Sequence, residues 1–491
     1  MIRAISILFF VMLFSVSGLY SQQSGQVGVF DFLPQSVYAN PALRPAGRIN
    51  IGLPGLSQVY FDHGNNWFKP GDNLVADANG KVTLDAEKIL GSIDEFAYTG
   101  QNLGFELIHV GFRFGKHYVH ARAAERVQIG LTIPKDIFYL GVYGNVGDHK
   151  FEDNTVNMSG LGIDAIHFRE YGIGYNYELN KKWSFGLTAK YLYGMERIET
   201  EQSTLKLRTD PETYNMQTSG SFIVNTSGIY GSASGGDEDI HDDIKTYLLG
   251  LKNTGFGGDI GVVYRPIEKL QVEFSANDLG FIKWKTDVAN YGTNDASFAY
   301  NGIDLTDFIF VEGSDFNDAF QARLDTLLDD LEDAYNFTRT EEQFTTSLNG
   351  YLRYGASYEV LSNEKFVGKA WLSVYHGILD SEVPFSFSIG YNQKFWKAIQ
   401  ADVHFTKRAH FSPSLGAGLS LNAGPFQIYC LAENLRFTRF AKIVVVDNDN
   451  PQDESSFVYF ENPQDVRVHV GINLTFGLKK EDSPGGRPMK R

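Results

Sequence analysis

The chain has 491 residues, with 26 Tyr and 38 Phe, 50 Gly against 15 Pro, and a formal net charge of −16. Aromatics suit a pleated sheet and prolines break its ladders, so this balance favours strands over helices. The acidic charge excludes the basic footprint of a nucleic-acid partner, and the single cysteine, Cys430, excludes an intrachain disulfide.

Residues 1–21 read as an export signal. Arg3 supplies the positive start, residues 4–16 the apolar stretch, and Leu19-Tyr20-Ser21 a cleavage site before Gln22. That stretch is shorter than the roughly 18–20 residues a membrane-crossing helix needs, and no other uninterrupted run reaches that length. A membrane location therefore requires a closed sheet. Residues 22–46 form an N-terminal luminal segment. Within it VYANPALRP (residues 37–45) carries two prolines and is irregular, either a plug that gates an interior or a strap packed inside a wall.

The strand signal starts near Ile49, and residues 62–103 read as a long loop. Residues 107–114 form a strand, and residues 118–145 form either one strand or a strand with a short hairpin. From Tyr171 the alternation is regular. Tyr171, Ile173, Tyr175 and Tyr177 oppose Gly172, Gly174, Asn176 and Glu178, and Trp183, Phe185 and Leu187 oppose Ser184, Gly186 and Thr188. Residues 255–284 form a hairpin with one apolar face and one polar or small face. The pattern recurs in strands near 352–359, 385–392, 399–406, 415–422 and 466–476. Side chains along a strand alternate between the two faces. One apolar flank and one polar flank, repeated this often, is the pattern of a transmembrane β-barrel with lipid outside and a polar interior.

Connections near 180–182, 266–269, 361–365, 396–398 and 422–425 are short, whereas those near 197–255, 285–345 and 435–465 are long. Short turns at one end and long loops at the other predict periplasmic and extracellular ends respectively. The fold expected is all-β, an antiparallel barrel of about 14 strands, with 16 as the alternative. It occupies residues 47–477, both termini are periplasmic, and a polar tail covers residues 478–491.

At the hairpin, GGDIGVVYRP…LQVEFSANDLGFIKW resembles a family of Bacteroidota outer-membrane β-barrels of unknown function. That family is related to fatty-acid-transporter-like barrels and to barrel subunits of the type IX secretion system. NPAL (residues 40–43), YGIGYNYELNKKWSFGLTAKYLYGME and the closing VRVHVGINLTFG resemble the same family. The resemblance implies about fourteen strands with an N-terminal plug. One departure is that the chain continues past Phe476 with GLKKEDSPGGRPMKR, where such barrels end on an aromatic assembly signal.

The candidate lumen-lining residues are Asn40, Arg44, Lys190, Arg265, Glu273, Arg353, Asp402, His404, Arg467 and His469. They either line a polar channel or fill a closed interior with ion pairs, and their mixed signs make no selective ring. Residues 314–337 carry Phe316, Phe320, Leu324, Leu327, Leu331 and Tyr335 at helical spacing, a helical insertion in a long loop that caps the mouth or meets a partner. The acidic pieces 235–245 and 447–454 lack EF-hand spacing and read as solvated loop. No metal and no cofactor are expected. Without G-x-S-x-G, H-E-x-x-H or a P-loop, neither is catalysis.

The expected function is a transporter or channel for a small molecule, hydrophobic ones included. The alternative is a non-conducting scaffold or secretion accessory. The expected partners are the lipid bilayer, the outer-membrane assembly machinery, and proteins meeting loops 228–255, 285–345 and 435–465.

Overall fold

The computed structural model describes residues 26–76, 82–145, 151–228, 253–300, 334–335, 338–363, 365–378, 385–396, 398–409, 411–434, 440–447, 450–460 and 464–477. The export signal, the polar tail, the 235–245 piece and nearly all of the 314–337 helix lie outside these residues.

Fourteen antiparallel strands close into a barrel. The first, β1, is split into Ile49–Gly52 and Val59–Asn65. It is followed by β2 (Phe96–Phe114), β3 (His117–Pro134), β4 (Gly162–Glu178), β5 (Trp183–Ser203), β6 (Asn253–Ile267) and β7 (Leu270–Trp284). The second half comprises β8 (Phe344–Ser347 and Tyr351–Ser362), β9 (Phe366–Gly377), β10 (Phe385–Phe395), β11 (Ile399–Arg408), β12 (Ser414–Ala423), β13 (Phe426–Glu433) and β14 (Asp465–Phe476). Each pairs with the next. Closure comes from β1, whose Ile49 faces Phe112 of β2 on one side and Phe476 of β14 on the other.

The split in β1 is a wall feature. Residues 53–58 (LPGLSQ) leave the ladder between Gly52 and Val59, while β14 spends only Gly471 and Ile472 over the same interval. The excursion keeps its polar backbone paired, with Leu53 N donating to Ile472 O and Gly55 N to Glu106 O. Leu56 points outward, 53% exposed, and Ser57 is buried on the inner side.

Alternation places the apolar flank outside. Ile173 is 67% and Val403 60% exposed, yet their neighbours Gly172, Gly174, Asp402 and His404 are buried. Cys430 lies exposed on the same outer face. A belt of this extent on a closed wall is a lipid-facing surface, because soluble proteins rarely leave so large an apolar patch in water. Above Tyr171 the belt ends. There Arg169 Nε donates to Glu125 at 2.6 Å, both residues lying on the outward parity of their strands.

The short turns follow local chemistry. Asn180 Oδ1 accepts from the backbone N–H of Lys182 and Trp183, and Asn363 Oδ1 does the same for Lys365 and Phe366. These are side-chain-stabilised turns that hold two strands at minimum separation.

At the long-loop end the structure corrects the expected loops. Residues 62–103 contain the upper part of β1, the helix Ala86–Ser92 and the start of β2. Asp85 caps that helix through the Lys88 N–H at 3.1 Å. Its Ile89 and Ile93 pack with Ala97, Trp67, Phe68, Ile133 and Phe138, so apolar burial overrides the polar local composition. Residues 118–134 are one strand, and the helix Lys135–Tyr143 follows. The barrel sheet also extends here through Thr155–Asn157, Lys206–Thr209, Met216–Ser227, Asn290–Tyr300 and Thr338–Thr340, joined to it at the upper end of β5. Phe440–Asp447 and Asn450–Phe460 make a hairpin, so the 447–454 piece is mostly strand rather than loop.

Candidate functional site

The inward parity of the strands fills the lumen with polar side chains, and three ionic layers result. In the first, Lys190 Nζ lies 2.5 Å from Asp259 and 2.6 Å from Asp278. Arg126 grips Asp278 with two bonds of 2.9 and 3.0 Å and reaches Glu170 at 3.0 Å, and Glu170 also pairs with Arg122. Three cations thus meet three carboxylates, all buried. Such charges persist away from water only when each is paired and hydrogen-bonded.

The second layer comes from the other side of the barrel. Arg467 pairs with Glu433, and Arg408 reaches Asp465 at 2.6 Å. Asp402 accepts from Trp371 Nε1 at 2.7 Å and from His404 Nδ1 at 2.9 Å. His469 lies 3.5 Å from Asp62 and stacks on Tyr60. In the third layer Arg353 binds Glu273 at 2.7 Å.

The space left over holds the chain's own N-terminal residues. Val27, Phe30 and Leu33 pack on the inward Tyr429 and Leu431, Val37 and Tyr38 on Tyr118, and Ala42 and Leu43 on Val263. The segment holds a 3-10 turn at Val27–Val29 and a single helical turn at Ser36–Ala39, so the 37–45 stretch is irregular only from Asn40; the rest of its backbone needs partners, and inward amides and hydroxyls supply them. Gln427 donates to Phe32 O at 2.9 Å, Ser275 to Ala39 O at 2.9 Å, Asn176 to Pro41 O at 3.2 Å and Ser184 to Ala42 O at 3.0 Å. Gln35 and Asn473 exchange hydrogen bonds of 3.0 and 3.1 Å, and Gln35 also donates to Ser57 O at 3.1 Å. Tyr38 hydroxyl meets Glu106 and His109, and the Arg122 guanidinium lies 3.9 Å above its ring.

Close approach requires glycine at two points. A Cβ on Gly186 would lie 2.0 Å from Pro41 O, and one on Gly261 2.0 Å from Asn40 Oδ1.

The segment is tied down near the short-turn end by charge. Arg44 binds Glu178 and the Gly115 carbonyl. Asp31 Oδ2 takes Lys369 at 2.9 Å and Lys394 as well. Burial alone would raise the Asp31 pKa, but the two lysines outweigh it and hold the carboxyl well below its ordinary 3.8. A depressed carboxylate contributes fully above its unfolded value and loses that contribution as pH falls from there through its lower folded value. Protease attack on residues 26–47 of the folded protein is therefore expected to rise below pH 3.8, and Asp31→Asn should remove that dependence.

All ten sequence-predicted residues fall on the lumen side. Lys190 joins the first layer, Asp402, His404, Arg467 and His469 the second, and Glu273 and Arg353 the third. Asn40 donates to Phe274 O at 3.2 Å and Arg44 holds a tie. Arg265 is half-buried at the turn end of β6 and joins none of these layers among the described residues. Sequence reasoning missed Asp278, Glu170, Arg122, Arg126, Glu106 and Glu433. Carrying the alternation one step back from Tyr171 would have found Glu170. Asp278 gave no such signal, because a bulge at Gly258/Ile260 turns it inward beside Asn277, at φ 55. Among the described residues no His, Cys, Asp and Glu group is arranged to hold a metal ion.

Several solved structures are similar in outline. The Pseudomonas putida toluene transporter TodX is 9% identical, with 93% of this chain and 94% of that one covered and a TM-score of 0.39. For the Ralstonia pickettii toluene transporter TbuX the values are 10%, 91%, 95% and 0.40. For a Pseudomonas aeruginosa FadL homologue they are 12%, 94%, 100% and 0.38. No curated protein matches the sequence. The model of a family described as a family of unknown function (DUF5723) matches residues 41–433.

Proposed function

The chain belongs to this DUF5723 family, and from that premise we propose that it is an outer-membrane barrel that admits a small molecule, hydrophobic ones included, when its N-terminal segment leaves the lumen. Residues 1–21 would direct export. The short-turn end, where Arg48 N–H donates to Phe476 O, would face the periplasm.

One observation carries this reading. Between residues 26 and 47, among the described residues, no backbone-to-backbone hydrogen bond reaches a wall strand; bonds through side chains, apolar packing and two ionic ties hold the segment. Withdrawing it leaves all fourteen ladders intact, and water can replace each bond it gives up. A strand inserted in the wall would not have that freedom.

A second reading is a non-conducting scaffold or a secretion-system accessory barrel that binds protein partners. The sheet extension joined to the upper end of β5 favours it, since among the described residues its strand Thr338–Thr340 pairs on one side only. Liposomes carrying the purified full-length barrel decide between the two. Uptake of labelled small apolar and polar solutes above that of protein-free liposomes is expected. Electrical silence together with stable co-purification of another protein would establish the scaffold instead.

A further inference from the structure

The ionic tie at Asp31 is unequal when wall and segment are counted apart. Among the described residues, Arg353 of β8, Lys369 of β9 and Lys394 of β10 are the cations set around it, and all come from the wall. Among the described residues, the wall carboxylates set against them are Glu273, held by Arg353, and Glu359, which faces Lys369 in the strand register. The third carboxylate is Asp31, and it belongs to the segment. Without the segment, the two lysines lose the carboxylate they share.

The geometry is that of a receptor already filled. Both ammonium groups converge on the same oxygen, Asp31 Oδ2. The Lys369 and Lys394 side chains are only 14% and 12% exposed. Asp31, Lys369, Arg353 and Gln271 line one cavity of about 10 Å³, room for a single water. The Arg353 side chain is 4% exposed, and its Nε has no acceptor among the described residues. A larger anion fits there only if Asp31 has left.

We propose that the Lys369–Lys394 pair, with Arg353 beside it, is a binding site for a small oxyanion, a phosphate or a carboxylate, and that Asp31 occupies it as a built-in competitor. An oxyanion arriving from the short-turn end takes over the two lysines and frees that end of the segment. A tetrahedral phosphate offers each ammonium its own oxygen, which one carboxylate oxygen cannot do. The inference rests on the segment acting as a gate and assigns the chemistry that unlocks it.

The test uses the full-length barrel in detergent, with inorganic phosphate as the probe in titration calorimetry. Asp31→Asn is expected to bind phosphate about tenfold more tightly than the parent, because the competitor is gone. Adding Lys369→Met and Lys394→Met to Asp31→Asn should abolish the gain. A second arm adds short-chain phosphatidylglycerol, with short-chain phosphatidylcholine as control. Tighter binding of phosphatidylglycerol alone in Asp31→Asn, lost with both lysines, would assign the site to a lipid headgroup and keep the oxyanion chemistry. Equal affinity for both probes in parent and Asp31→Asn, or binding that survives loss of both lysines, would overturn the proposal. Heat-shifted gel migration confirms that each variant is a folded barrel. Solute flux into liposomes is measured alongside. Flux without phosphate competition defeats this inference alone, whereas competition without flux in any variant defeats the gating reading.

Discussion

Deleting residues 26–46 is expected to convert a nearly silent barrel into a conducting one, with planar-bilayer conductance rising about tenfold or more as the water-filled lumen opens. The segment is the only described part of the chain that packs against β5, β7, β11 and β13 from within. Once it is gone, the inward Asn, Gln and Ser groups hydrate and the ladders remain closed. Gly186→Val provides the same result without a deletion. Its Cβ would sit 2.0 Å from Pro41 O, backbone that cannot swing aside, so the segment must lift off β5. Gly261→Val acts at the neighbouring contact with Asn40. Unchanged conductance in both the deletion and Gly186→Val would show that the ionic layers alone seal the interior, which is the scaffold reading.

Replacing Lys190 by Met should be the most damaging single change to stability. It leaves Asp259 and Asp278 without the ammonium they share and removes a cation from a three-to-three layer. Breaking a buried pair in this way costs about 3–5 kcal/mol, because an uncompensated charge stays inside. The midpoint of urea unfolding in phospholipid vesicles should fall accordingly. Adding Asp259→Asn should recover part of the loss, since the surplus carboxylate is then neutral. Full additivity of the two changes would show that the residues are energetically independent.

The barrel was legible in the sequence wherever lipid and lumen impose opposite demands on successive residues. Ile399 to Thr406 is such a stretch, with Val403 outside and His404 inside, and the final strand from Val466 is another. Legibility failed where another constraint broke period two. The bulge in β7 put Asn277 and Asp278 on the same side, and the second of these proved central to the ionic layer. Arg122 and Arg126 stand amid Ala121, Ala123 and Ala124, where small residues mute the contrast between faces. At Phe96 the strand was hidden because it has risen above the lipid, and there nothing requires an apolar outer flank. The contents of the lumen were harder still to read. Gln427 and Ser275 look like ordinary polar wall residues until the carbonyls they serve are known.

The LPGLSQ excursion in β1 links two media that the rest of the wall keeps apart. Leu56 stands among the lipid tails, and the carbonyl of the next residue, Ser57, accepts from both Gln35 of the segment and Tyr429 of β13. Moving the segment removes one of those donors and is felt one residue away on the hydrocarbon side. Thermodynamic reciprocity then holds: whatever acyl packing around Leu56 favours one position of the segment is itself favoured by that position, to the same extent. If the segment gates the lumen as proposed, acyl-chain thickness is expected to change opening even when the solute does not, which conductance in bilayers of different thickness would check.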